Sequence, residues 1–185
     1  MLSTNEKFSY MREKLKKILS REELEAVNQD ADQLIDLGFE SVEHGEFERA
    51  YDLFTINMTM NGSSPDAVNG LAISLAELGE TDKALEVLQY AEKLYPEDAI
   101  TLTNLAGIYL EKMDHDNAIF YYTKSLQFNG EIMDTYFNLA NAYYERGDFG
   151  MAYLTSLNLV KAFPDDPQAL KFRDDLLLDI AISTY

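Results

Sequence analysis

Apolar residues along the middle of the chain fall in runs with helical spacing, and the runs themselves recur. Cutting at Ala31, Pro65, Ala99 and Met133 gives four 34-residue blocks that end at Asp166 without an insertion. Position 4 of the blocks holds Leu34, Val68, Leu102 and Tyr136, and position 7 holds Leu37, Leu71, Leu105 and Leu139. Position 8 holds Gly38, Ala72, Ala106 and Ala140. Positions 4, 7, 8 and 11 share one face of a helix, so each block predicts a first helix with one buried stripe. A second stripe runs through positions 20, 24 and 27, with Ala50, Ala84, Ala118 and Ala152 at position 20. Small residues at 8 and 20 let two backbones approach closely enough for interior packing density. Each block therefore reads as an antiparallel helix pair. Gly45, Gly79 and Gly147 at position 15 suit a helix end that needs positive φ, and Met113 breaks that rule in the third block. Ser64 before Pro65, and Asp166 before Pro167, read as N-caps followed by proline at the first helical position.

This periodicity resembles the tetratricopeptide repeat family over residues 31–166, in four in-phase copies (31–64, 65–98, 99–132 and 133–166). The resemblance implies an all-α fold, a right-handed superhelical stack in which each repeat buries its faces against its neighbours. Ser156 at position 24 and Asn57 at position 27 depart from the family's bulky residues.

Two flanks lie outside the repeats. In residues 1–30, Phe8, Met11, Leu15 and Ile18 recur at helical spacing, and Ser3 with Glu6 and Ser20 with Glu23 read as capping boxes. The segment is expected to form one bent helix or two short ones. Residues 167–185 read as a C-terminal capping helix. Its Leu170, Phe172, Leu176, Leu177, Leu178, Ile180 and Ile182 are too widely spread to face a single neighbour.

Charge narrows the function classes. The formal net charge is −18. Residues 1–21 carry +4, from Lys7, Arg12, Lys14, Lys16, Lys17 and Arg21 against Glu6 and Glu13, so the remainder carries −22. An acidic body repels phosphate and argues against nucleic-acid partners. No apolar run approaches the ~18 residues of a membrane span, and no secretory h-region is present, so a cytoplasmic chain without membrane insertion is expected. There is no cysteine. His44 and His115 each fall near a turn, without a neighbour at metal-ligand spacing. Nucleotide-binding glycine loops are absent. The chain therefore reads as neither an enzyme nor a metal or cofactor carrier.

In tetratricopeptide stacks the first helix of each repeat lines a concave groove, where positions 2, 5, 9, 12 and 13 commonly face the partner, and in some relatives asparagines along the groove, which here stand at position 6, bind a peptide backbone. The resemblance carries those roles here to Ile35, Asn69 and Phe137; to Asn104 and Asn138; to Phe39, Ile73 and Asn141; and to Val42, Leu110 and Tyr144. Position 13 is Glu43, Glu77, Glu111 and Glu145, an acidic rail beside an apolar floor. An apolar patch rimmed by polar groups marks an interaction site. The groove positions hold no lysine or arginine, so the family's clamp for a chaperone C-terminal carboxylate is not carried over. The expected function is protein binding, as a scaffold or chaperone-like module, of an apolar and basic peptide or helix. A looser resemblance, to the class II type III secretion chaperones, points the same way, although that class has three repeats. The alternative is a structural unit that oligomerises, for instance as a homodimer through its N- or C-terminal helix.

Overall fold

The computed structural model describes residues 4–30 and 32–183, and these are helical throughout apart from short turns. Two helices, α1 (Thr4–Ile18) and α2 (Arg21–Gln29), precede the repeats. Four pairs follow: α3 (Gln33–Glu43) with α4 (Phe47–Asn61), α5 (Pro65–Glu77) with α6 (Thr81–Leu94), α7 (Ala99–Glu111) with α8 (His115–Phe128), and α9 (Met133–Glu145) with α10 (Phe149–Ala162). The last helix is α11 (Pro167–Ser183). The starts of α5, α7, α9 and α11 keep the 34-residue spacing. The chain divides into two compact units, Met1–Ala91 and Glu92–Tyr185.

The turns inside the pairs share one hydrogen-bond scheme. Glu46, Glu80, Asp114 and Asp148 donate their N–H to the carbonyls of Ser41, Leu75, Tyr109 and Tyr143 at 2.8–2.9 Å. The N–H of the preceding residue bonds the carbonyl three residues back, completing a Schellman closure. That closure needs a left-handed residue, which is Gly45, Gly79 or Gly147 at φ 74–87°, and Met113 at φ 61°. Met113 therefore keeps the turn and carries the strain of a Cβ in left-handed backbone. Ser64 caps the Ala67 N–H at 3.2 Å, and Asp166 caps the N–H groups of Gln168 and Ala169 at 2.8 and 3.0 Å.

Packing follows the two stripes. Ala50, Ala84, Ala118 and Ala152 are fully buried, as are Leu34, Val68 and Leu102. The two departures are buried as well. Ser156 donates to the Tyr153 carbonyl at 2.7 Å, so its hydroxyl stays satisfied within its own helix. Asn57 is buried and bonded within the chain.

In the first unit, α1 and α2 form two short helices rather than one. The Ser20–Glu23 capping box starts α2. Met11, Leu15, Ile18 and Leu19 join Val27, Leu34, Leu53 and Ile56 in one core, which seats α1 on its own first repeat. Lys14 pairs with Asp52, and Arg49 reaches Glu23 at 2.6 Å. The Ser3 half of the other capping box and the side chain of Phe8 lie outside the described residues.

Candidate functional site

Each first helix ends on the glutamate of block position 13: Glu43, Glu77, Glu111 and Glu145 are the last residues of α3, α5, α7 and α9. All four are exposed. The partial negative charge at a helix C-terminus opposes a carboxylate there, so local stability does not account for them. Glu145 lies 3.3 Å from His115 Nε2, across one repeat in the second unit. His44 bonds the Glu40 carbonyl through Nδ1 at 2.8 Å. Among the described residues no cluster of three metal-ligating side chains occurs.

In the first unit, Ile35, Phe39, Val42 and Ile73 are half-buried and keep an exposed edge. Phe39 stands edge-on to Phe54, centroids 5.1 Å apart. Asn69 is only 2% exposed, which corrects its place in the groove: its amide is bonded within the chain and serves repeat packing.

The Phe54 ring explains a feature that the repeat pattern left blank. It fills a slot between two helical glycines, Gly38 on α3 and Gly70 on α5. A Cβ at Gly38 would stand 2.6 Å from Phe54 Cζ, and one at Gly70 only 2.2 Å away. Gly70 sits at block position 6, where Asn104 and Asn138 stand in later blocks, because the bulky ring leaves no room for a side chain.

In the second unit, Leu110 packs against the core of Ala106, Ala118 and Tyr122, while Asn104 and Asn138 are half-buried and Asn141 is exposed. Phe137 and Tyr144 meet α11. The Phe137 ring lies edge-on to Phe172 at 4.7 Å, and the Tyr144 hydroxyl is 2.9 Å from Ser183 Oγ. The last helix therefore packs beside both residues, which stay half-buried. Their exposure could not be read from their own repeat, because the covering residues lie ~35 positions downstream.

Two tyrosines with raised pKa stabilise the same unit. Burial, with Glu92 nearby, pushes the Tyr121 phenol up to about 12, and its hydroxyl donates to Glu92 at 3.2 Å. Lys124 holds the other Glu92 oxygen at 2.7 Å. Burial, with Glu145 as a second cause, likewise pushes Tyr122 up to about 12.

A cleft of about 550 Å³ opens between α8, α9 and α10, walled by Leu126, Tyr136, Leu139, Tyr143, Met151 and Leu154. Among the described residues its only charged lining residue is Lys161. The sequence pattern gave no sign of it, since its walls come from three helices.

No described helix is long and apolar enough to cross a membrane. The tetratricopeptide repeat family model matches residues 42–99 and 69–131. The chain is 29% identical to human tetratricopeptide repeat protein 6 over 72% of its length, and 29% identical to a TPR repeat-containing protein of Methanocaldococcus jannaschii over 76%. It spans 25% and 27% of those two proteins, and less of other curated relatives. Among solved structures, a thermophilic TPR protein of Thermus thermophilus superposes with a TM-score of 0.69 at 18% identity, covering 80% of this chain and 82% of that one. With the helix pairs, the repeated Schellman turns and the small-residue contacts already described, these matches show an all-helical tetratricopeptide repeat fold, with the family-matched repeats lying within residues 42–131.

Proposed function

We propose that the chain is a non-catalytic scaffold whose first helices, within each unit, hold an apolar, basic segment of a protein partner. The observation that supports this best is the exposed glutamate closing α3, α5, α7 and α9. A carboxylate at that end is unfavourable for the helix, and a basic ligand would offset that cost. Ile35, Phe39, Val42 and Ile73 would take the apolar side chains in the first unit, and Leu110 in the second. The amides of Asn138 and Asn141 can bond both N–H and C=O groups of an extended ligand, and Asn104, already engaged within the chain, stands at the equivalent position of the preceding repeat. The domain organisation belongs to the same proposal: a basic extension at 1–30, repeats at 31–64, 65–98, 99–132 and 133–166, and a capping helix at 167–185. A chaperone-like role is one version of this reading, with the chain shielding an apolar segment of its partner.

The test uses a synthetic amphipathic peptide of leucine and lysine, with a leucine and glutamate peptide as control. The lysine peptide should bind, and its association rate should fall with salt, because surface charges are screened over roughly 8 Å at physiological ionic strength. Changing Glu43, Glu77, Glu111 and Glu145 together to glutamine should slow association about tenfold at low salt. Unchanged affinity and salt dependence in that variant would reduce the four carboxylates to a solvated face.

A second reading, assembly through a flanking helix, has one supporting observation. The α1 stripe is consumed by its own first repeat, but α11 leaves Leu177, Leu178 and Ile182 exposed.

A further inference from the structure

The second unit carries two exposed apolar surfaces. One is a ridge on α11. Ala169 and Leu176 are buried, and Phe172 packs on Phe137, so this side seats the helix against α9 and α10. Leu178 lies about 200° around the helix from Leu176. It is 60% exposed, and Ile182, one turn on, is 67% exposed. The other surface is the α8–α9–α10 cleft, where Met151 and Leu154 on the outer side of α10 are 42% and 47% exposed.

Their charges also match. The chain holds 33 acidic and 15 basic residues, yet among the described residues no acidic side chain lines the cleft, and Lys161 does. On α11, Lys171 pairs with Asp175 at 2.7 Å and Arg173 with Asp174 at 2.7 Å. Asp179, exposed on the flank between Leu178 and the seated side, leaves the helix one net negative charge there. A ridge on one helix fits a cleft between others as side-chain rows fit grooves. Within one chain the seated side of α11 turns the ridge away from its own α10, so the cleft that receives it belongs to another molecule.

We infer that the α8–α9–α10 cleft binds the α11 ridge of a second copy of this chain, head to tail, with Leu178 and Ile182 against Met151 and Leu154 and Asp179 against Lys161. Such a contact is heterologous: each copy keeps a free ridge at one end and a free cleft at the other, so association continues into rings or open chains. One helix ridge covers less than the ~800 Å² per partner of a standard interface, so the association is weak and depends strongly on concentration.

The test is mass by sedimentation and light scattering on the full chain, from micromolar to millimolar protein, with two exposed-site variants. Leu178→Glu spoils the ridge and keeps the cleft. Leu154→Glu spoils the cleft and keeps the ridge. Helicity and melting of both should match the parent, because both positions are solvent-exposed. The parent should grow in mass with concentration, and each variant alone should lose at least about tenfold in association constant, since a charge is placed in an apolar contact. An equimolar mixture of the two variants should regain association but stop at one-to-one dimers. Asp179→Lys should weaken the parent, and Lys161→Asp in the same chain should restore it. A parent that stays monomeric throughout would overturn the inference. So would variants that associate like the parent, or a mixture that stays monomeric, the last pointing to a symmetric contact instead. The four-glutamate variant leaves both surfaces intact, so its outcome is independent of this one.

Discussion

Replacing Gly70 by alanine should destabilise the protein, although the same change in an ordinary helix stabilises it. Alanine in place of glycine in a helix interior gains about 0.5–1 kcal/mol. Here the new methyl would stand 2.2, 2.4 and 2.5 Å from Phe54 Cζ, Cε1 and Cε2. The ring is fully buried and lies between the two glycines, so close to Gly38 that a Cβ added there would stand 2.6 Å from Cζ. A buried ring can shift only by displacing packed neighbours. Overpacking of this kind costs ~1–3 kcal/mol, and a gap more than 1 Å short of contact belongs at the upper end. After subtracting the propensity gain, the net loss should be about 2 kcal/mol. For a chain of this size that corresponds to a melting shift of roughly 4–8 °C. Thermal and urea unfolding measure the loss, and amide exchange in α4 and α5 locates it. Phe54→Leu alone should cost ~1 kcal/mol by thinning the core, but in the Gly70→Ala background it should relieve the clash. The double variant should then be more stable than the sum of the single effects by at least ~1 kcal/mol. A Gly70→Ala protein that melts higher than the parent, or a cycle additive within ~0.5 kcal/mol, would refute the slot.

Met113→Gly should raise stability by about 1 kcal/mol, because it removes left-handed strain of ~1–2 kcal/mol at the cost of some unfolded-chain entropy; chemical unfolding checks it, and Gly147→Met should do the reverse. Tyr121 and Tyr122, pushed up to about 12, favour the folded state fully below the ordinary tyrosine value of about 10 and lose that contribution as pH rises toward 12. Phenolate absorbance should therefore show two late-titrating tyrosines whose ionisation coincides with alkaline unfolding, and Tyr121→Phe should remove one of them. Burial raises Glu23, but the Ser20 N–H and hydroxyl and the Arg49 guanidinium outweigh it and hold the carboxyl below its usual value. Its contribution is present above the ordinary glutamate value of about 4.3 and lost as pH falls below it, so Glu23→Gln should flatten the acid limb of the melting profile.

The sequence by itself determined the repeat and most of what makes each repeat fold. Position 20 alanines, the position 15 glycines and the Ser64 and Asp166 caps act within a helix or between sequence neighbours, where spacing alone brings groups together. Even Met113 was legible as the imperfect turn, because the Schellman closure needs a left-handed residue whatever the side chain. The glutamates could be placed at helix ends for the same reason. Other features depend on residues from separate helices meeting, and only the tertiary structure decided them. Gly70 stands where later blocks carry asparagine because the Phe54 ring, sixteen positions earlier, fills its space. Asn69 shares a helix with half-exposed Ile73, yet packing of neighbouring helices buries one and leaves an edge of the other in solvent. Phe137 and Tyr144 read as groove residues in their own repeat, and only the fold brought Phe172 and Ser183 of α11 against them. The α1 stripe could have sought its own repeat or another molecule, and its burial among Leu34, Leu53 and Ile56 settled the matter. Periodicity fixes which face of a helix is apolar; what comes to cover that face is set by long-range packing, which no local pattern encodes.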